Sequence, residues 1–572
     1  MWRVVNVRMD ASIKPIKRIN GSFDVVFLLI LSLALNVTHL NWGLPNYLDW
    51  ANDSIAPFQV LEAGYYRLSN GWHNTYPPVH YAILLVFVAP FMGYLLLSGG
   101  LQAPSKVFPF GFSDPLFALS GVTLISRLVS VLMGVAIVLL VYRIVRELFD
   151  RQSAFFSSLI VALCHPLVYY AHTANVEVPY LFWSILAIYH FLRVLQHGAL
   201  KHYLLFAMFG ILAICTKDQA YGLFLLSPLP ILWIRFAEQA QVPRQERRFL
   251  HVFLDKRFIL AGVVAVATFA IAQNLFFNFT GFLNHIELIT GAKSQGLEDY
   301  TSDLGGRLQL LRETLVYLAQ GLTLPLFGIC LVGAVYCGLK FPRYTLPLLF
   351  LALTYYLFFL NVILFVRLRY ILPIAIILAF FGGKVLADIW HRAPLKGLVR
   401  TAICLLFAYA AFFPIHLNIL FMKDSRYAAA EWMEQHFSEG DIVETFTPYV
   451  NRKYYPRFPA WVKVRSSKLE AGTQWEARAI KKVRVPNLYT GDEPPDYIVL
   501  SEFWYKRFLP LEQADSDAAR VLKDLFEGRM GYKQVAAFKS LEIVPIEVAI
   551  NPRILIFARC QKAAFGQENS TC

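Results

Sequence analysis

Residues 41–81 read NWGLPNYLDWANDSIAPFQVLEAGYYRLSNGWHNTYPPVHY and follow the first long apolar run, Phe23–Leu40. Asp49, Asp53, Glu62, His73 and His80 stand here among aromatics and prolines. That many polar groups cannot sit in hydrocarbon, where nothing hydrates them. The stretch therefore belongs at a water face of a membrane, beside the ends of apolar helices. Acids so placed are candidates for chemistry on something the membrane holds. The bland reading is that Asp49 solvates a loop and Asp53 caps a helix over 54–66.

The rest of the chain agrees with a membrane setting. Of 572 residues 57% are hydrophobic, and mean hydropathy is +0.49, above what a soluble domain carries. The net charge of +14 does not point to nucleic acid, because most Lys and Arg fall in short links between apolar runs, as in cytoplasmic loops. Arg3, Arg8, Lys14, Lys17 and Arg18 face a single acid, Asp10, before the first run. They are expected to stay inside, so that 41–81 emerges on the outer face. Phe23–Leu40 lacks a small-residue cleavage site and reads as a retained span. Cys164, Cys215, Cys330, Cys337 and Cys404 lie in apolar runs as small core residues; Cys560 and Cys572 are the pair that a disulfide would join. No cysteine spacing marks a metal site.

Apolar runs at 79–98 and 122–142 precede the basic link YRIVRELFDRQ (142–152). If both runs cross, Arg143, Arg146 and Arg151 fall outside. If 79–98 only dips into or lies along the outer leaflet, they fall inside, and Pro77-Pro78 and Pro90 suit such a helix. We adopt the second arrangement. Spans then follow near 153–170, 179–196, 203–216, 219–235, 258–277, 322–340, 344–361, 370–387 and 399–417. Residues 307–320, with apolar positions at helical spacing, are expected to lie in the interface. The whole is an α-helical polytopic protein of about 11–13 membrane helices, counted by the apolar-length rule.

After Leu420 the character changes. KDSRYAAAEWMEQHFSEGDIVETF (423–446) reads as a helix, a turn at Gly440 and a strand; 497–501 and 554–558 read as buried strands and 516–527 as a helix. Residues 421–572 thus form an α/β domain, placed by parity over the outer loops of the 1–420 membrane domain.

WANDSIAP (50–57) followed by YPPVHYAIL (76–84) resembles the first outer loop of the GT-C glycosyltransferases, in the branch with protein O-mannosyltransferases and the lipid A aminoarabinose transferase. HTANVEVPYLFW (172–183), ICTKDQAYG (214–222), VRLRYILPIAIILAF (366–380), KDSRYAAAEW (423–432) and PPDYIVLSEFWY (494–505) resemble further family elements in the expected order. The family loop usually reads Asp-Glu; here Ser54 stands in the Glu position, and Glu177 stands where the second element usually has Asp. The resemblance implies a GT-C membrane enzyme that takes a monosaccharide from a polyprenyl-phosphate carrier on the extracytoplasmic face. Asp53 is then the catalytic base, and Lys217, Arg367 and Arg369 bind the donor phosphate. Asp49, Glu177 and His80 are candidates for positioning the acceptor or the loop.

Physical chemistry supports those roles separately. Transfer from a lipid-linked sugar phosphate needs a base for the acceptor proton and cations for the leaving phosphate. Partial burial among Trp50, Tyr47 and Phe58 is expected to raise the Asp53 pKa. Lys217, Arg367 and Arg369 are outward cations that break the positive-inside pattern; the bland account is snorkelling to headgroups. The long outer segment 278–300 suits a mobile lid. No cofactor is expected beyond the donor, and no divalent metal, since a hard cation wants several carboxylates. Partners are the lipid-linked sugar, membrane lipid and an acceptor the sequence does not specify. Two other readings stand beside this one. A transporter or flippase would place its polar groups at the midplane of repeated, broken helices, and no repeat is found. A metal-dependent oligosaccharyltransferase would want the missing Glu.

Overall fold

The computed structural model describes residues 23–240, 255–290, 299–446, 453–466, 491–509, 517–543 and 550–560. The basic leader, part of the 278–300 segment, Asn569 and Cys572 lie outside them. Among the described residues seven helices are long and apolar enough to cross a membrane, or ten if three sharply bent pairs each count as one span; Phe23–Val37 and Leu200–Ile214 are shorter apolar helices. The expected spans fall on these elements. The 153–170 run is the bent pair Arg151–Ala162 and His165–Ala171, the 258–277 run belongs to the bent pair Lys256–Ala272 and Leu275–Thr290, and the 307–320 stretch is the helix Leu304–Leu322, turned 111° from Leu324–Lys340.

One long helix fixes the two faces of the bundle. Pro115–Leu148 starts with Pro115 in its first turn and with Asp114 accepting the Phe117 N–H, a capped start with proline where no donor is lost. Its 34 residues extend about 50 Å, well beyond the ~30 Å of hydrocarbon. Near its start Ser120 donates to the Asn46 carbonyl and Arg127 pairs with Asp49. Near its end Tyr142 donates to Asp24 (3.1 Å), and Arg151 binds both oxygens of the same carboxylate (2.6 and 2.9 Å). Loop 41–77 therefore lies at one face, and the 142–151 link lies at the other with the start of the first helix.

The Pro78–Leu97 helix is long enough to cross, yet both its ends stay on the loop's side. Tyr81 and Leu84 pack with Val122 and Val129, while Leu95 packs with Ala118 and Leu119. The helix thus runs antiparallel to the first half of Pro115–Leu148, against the Pro57–Tyr65 helix, and turns back through residues 98–114. Tyr47 meets Phe108 there with ring centroids 5.7 Å apart. Its apolar flank is open, with Leu97 90% exposed, as a helix lying along lipid requires.

The chain leaves the bundle through Lys396–Met422 and enters the C-terminal domain at Ser425–His436. Five strands, β1 (Ile442–Glu444), β2 (Lys463–Arg465), β3 (Tyr497–Ser501), β4 (Tyr532–Phe538) and β5 (Ile554–Arg559), order as β2-β1-β3-β5-β4. The first three are mutually parallel, and β5 is antiparallel to both its neighbours. β3 and β5 are apolar runs because both sheet faces are covered. Ala429 and Met433 pack on one face with Val443, Val499 and Ile556, and Leu522 and Leu525 pack on the other with Ile498 and Phe557. Cys560 is disulfide-bonded, and the other described cysteines are free.

The domain is fastened to the loop face. Trp42 donates to Asp424 (3.0 Å), and the Gly43 N–H donates to the Tyr427 hydroxyl (2.7 Å). Arg426, fully buried and paired with Asp424, lies over the Trp50 ring at 3.9 Å.

Candidate active site

Three helix starts and the first loop converge on one charge cluster. Glu177 opens the Glu177–His197 helix and is fully buried. Lys217 sits in the short break after Leu200–Ile214. Arg369 lies in the single 3₁₀ turn Leu368–Ile371 that leads into Leu372–Arg392. Lys217 Nζ is 2.5 Å from Glu177 Oε1, Arg369 Nε is 3.5 Å from the same oxygen, and an Arg369 guanidinium N–H donates to Asp53 Oδ2. The sequence separation of these groups hides the cluster; the helix ends create it.

Asp53 is the open end of the chain of charges. Its side chain is 37% exposed, against 16% for Arg369, 9% for Lys217 and none for Glu177. Its backbone has φ +54°, the left-handed region that a non-glycine residue occupies at a cost of order 1–3 kcal/mol. Neighbouring bonds hold it there. Tyr76 donates its hydroxyl to the Asp53 carbonyl (3.2 Å), Asn175 donates to the Asn52 carbonyl (3.1 Å), and the Ile55 N–H donates to the Ala174 carbonyl (3.0 Å). Ser54, in the position where the resemblance would have Glu, donates to the Ala51 carbonyl.

Burial does push the Asp53 carboxyl upward, but Arg369, Lys453 and Lys217 outweigh it, and the group titrates below the usual carboxylate range. This corrects the sequence expectation of a raised pKa, which could not include a guanidinium from more than 300 residues away. Burial, and then the charges of Asp53 and Glu177, hold the Tyr76 phenol well above its ordinary value, so it stays a donor. Three tyrosine rings surround Lys217: Tyr370 at 5.3 Å, Tyr180 at 5.7 Å and Tyr76 at 5.9 Å. Such a cage favours a cation.

The other sequence candidates fall elsewhere. Arg367 does not join the cluster: it pairs with Asp299 at 2.7 Å and lies over the Phe365 ring. Asp49 forms a fully buried ion pair with Arg127 at 2.6 Å, and Arg127 also donates to the Leu40 and Trp42 carbonyls. Burial raises the Asp49 pKa, but Arg127 and two backbone N–H groups bring it below its ordinary value. Asp49 thus ties the loop to the long helix. His80 is fully buried, and neither ring nitrogen meets a hydrogen-bond partner among the described residues. His285 ties the 275–290 helix to the loop through the Asn74 carbonyl (2.8 Å) and to Asp218 (3.3 Å). Among the described residues no three His, Cys, Asp or Glu side chains are grouped to hold a metal. Asn52, Tyr76, Asn175 and Tyr370 all stand inside quoted motifs yet escaped the sequence reading, because uncharged loop residues carry no signal without their neighbours.

Residues 116–239 match the family model described as dolichyl-phosphate-mannose-protein mannosyltransferase. The GT-C resemblance read from the loops is thereby met by an independent comparison. No curated protein matches. Among solved structures, ArnT from Cupriavidus metallidurans bound to undecaprenyl phosphate is 14% identical with a TM-score of 0.49, covering 93% of this chain and 97% of that one. The archaeal oligosaccharyltransferase AglB from Archaeoglobus fulgidus, in complex with an inhibitory peptide and a dolichol-phosphate, is 14% identical with a TM-score of 0.44, covering 93% and 76%. The S. cerevisiae protein O-mannosyltransferase Pmt1-Pmt2 complex bound to the sugar donor is 14% identical with a TM-score of 0.30, covering 49% and 36%.

Proposed function

We propose that this chain is an integral-membrane glycosyltransferase that moves a monosaccharide from a polyprenyl-phosphate carrier to an acceptor hydroxyl at the extracytoplasmic face. The observation that carries the reading is the cluster itself: a part-exposed Asp53 bound to Arg369, with Lys217 beside it, at the loop face of an apolar bundle. In the reaction the acceptor O–H gives its proton to Asp53, its oxygen bonds to the anomeric carbon, and the bond from that carbon to the phosphate oxygen breaks. Polyprenyl phosphate leaves with the electron pair. One direct displacement inverts the anomeric centre, by analogy with one-step sugar displacement. Arg369 and Lys217 hold the phosphate as its charge rises.

The low pKa of Asp53 in the resting site makes it a weak base. A donor phosphate that draws Arg369 away removes the largest of the charges that lower the pKa, and Asp53 becomes more basic once the donor is bound. Donor binding thereby couples to base activation. The test is direct. Membranes with and without the protein are supplied with a polyprenyl-phosphate monosaccharide, and acceptor fractions are compared by mass for one added sugar. Equal acceptor masses in both membranes would count against transfer.

A metal-independent reaction fits better than a metal-dependent oligosaccharyl transfer, because Asp53 and Glu177 are both already ion-paired to cations. Turnover is expected to persist in EDTA. The transporter reading gains nothing from a charge cluster at the bundle's end, since a transport site lies near the midplane.

A further inference from the structure

The cluster that the proposed reaction uses is electrically balanced: Asp53 and Glu177 face Lys217 and Arg369. A sugar phosphodiester adds a negative charge, and its departing monoester carries up to two. The C-terminal domain brings a further cation to this place. Lys453 Nζ lies 3.4 Å from the Asn52 amide oxygen, one residue from Asp53, and has no carboxylate within ion-pair distance among the described residues. Tyr454 donates its hydroxyl to the same Asn52 oxygen at 2.5 Å, and its ring lies 5.1 Å below the Lys453 ammonium.

The two residues are seated by the domain core. Buried Arg426 donates to the Lys453 carbonyl (2.7 Å), Ser501 at the end of β3 donates to the Tyr454 carbonyl (2.8 Å), and Tyr455 donates to the Thr445 carbonyl (3.0 Å). Arg426 is itself locked to Asp424 beneath the Trp50 ring. The short 453–455 segment is therefore held at both backbone and side chain, and it faces the open end of the cluster. Half-buried Lys453 has three donors and gives one of them to Asn52, which leaves donor capacity for a phosphate oxygen.

We propose that Lys453 is a donor-phosphate-binding residue supplied by the C-terminal domain, giving the balanced cluster the net positive charge that a lipid-linked phosphate needs, and that Tyr454 positions Asn52 and the Asp53 loop beneath it. Lys453 is also among the charges that hold Asp53 below its usual range, behind Arg369. The membrane domain alone is then an incomplete site. This inference rests on the proposed donor chemistry.

The experiment measures binding of geranylgeranyl phosphate to the full-length protein in detergent. Lys453→Gln should weaken binding about tenfold, the worth of one charge-assisted bond, with an unshifted melting temperature. Lys453→Arg should bind within about threefold of the wild type on the same scale. Lys533→Gln, an equal charge change on the edge strand β4, should leave binding unaltered. Tyr454→Phe should leave binding within about twofold and lower the turnover rate with a lipid-phosphate sugar, since it acts through the loop. Wild-type affinity in Lys453→Gln, or equal weakening by Lys533→Gln, overturns the assignment of Lys453. Unaltered turnover in Tyr454→Phe overturns the positioning role. No binding by the wild type removes the lipid-phosphate reading itself, a result distinct from either.

Discussion

In the proposed reaction Asp53 concentrates the chemistry and the strain in one residue. Its left-handed backbone, its exposed carboxylate and its guanidinium partner all follow from the bonds around Asn52–Ile55. Asp53→Asn keeps the shape and removes the base; transfer should fall by at least a hundredfold, the usual weight of a general base, while the membrane-inserted amount is unaltered. Quantitative blotting beside a turnover assay checks both. Arg369→Lys keeps a charge but loses the planar fork, so it should recover only part of the activity of the wild type. A pH prediction follows with its sign. The folded-state pKa of Asp53 is depressed, so the ionised, paired form and its stabilisation persist at and above the ordinary carboxylate value near 3.9, and are lost only as pH falls through the lower folded value. In Arg369→Gln the pair and the largest of the charges that depress the pKa are gone, so the acid-side loss of stability that Asp53 contributes should shrink. A melting-temperature series from pH 3 to 6 reads the difference; identical profiles would contradict the coupling. Asp49 behaves otherwise. Asp49→Asn leaves Arg127 buried without its counter-charge, and breaking such a pair costs about 3–5 kcal/mol, seen as a lower melting temperature and not as a selective loss of chemistry. The acids of this loop were legible as candidates. Which one is structural was not, because Arg127 stands in an apolar run 78 residues away and reads there as an oddity.

Among the elements, Pro78–Leu97 decides the topology. By length and composition it should cross; the basic link at 142–152 argued otherwise, with Pro77-Pro78 and Pro90 in support, and both its ends pack against the first half of Pro115–Leu148. A single cysteine at Leu97 in a cysteine-free background should label from the same side as one at the exposed loop residue Asn70, and one at Leu148 from the other. An impermeant maleimide on intact and opened cells checks this. Labelling of 97 and 148 from one side would contradict it. The apolar spans were readable because hydropathy acts along the chain, whereas β2 and β4 were not. β2 is three residues long, and YKQVAAF of β4 is a half-exposed edge strand with little β propensity of its own. The 203–235 pair, short for two spans, resolves as the helix Leu200–Ile214 followed by a helix interrupted at 225–227. Bends at breaks such as Leu163–Cys164 and Gln273–Asn274 put side chains at a face that a straight-helix count cannot foresee.

At the scale of the molecule, the bundle and the α/β domain meet over the first loop, through Trp42, Trp50, Arg426 and Tyr427. The sequence reading divides the chain near 421, where the hydropathy changes. It did not foresee that the domain would touch Asn52, because contacts between separately folding parts leave no periodicity. The central claim is that Asp53, Lys217 and Arg369 form one active site for a lipid-phosphate sugar. It is tested most directly by single-turnover measurement of a radiolabelled polyprenyl-phosphate monosaccharide with the purified wild type and Asp53→Asn. The account predicts release of polyprenyl phosphate and label transfer by the wild type in EDTA, and donor binding without release by the variant. Release by Asp53→Asn at the wild-type rate would contradict it.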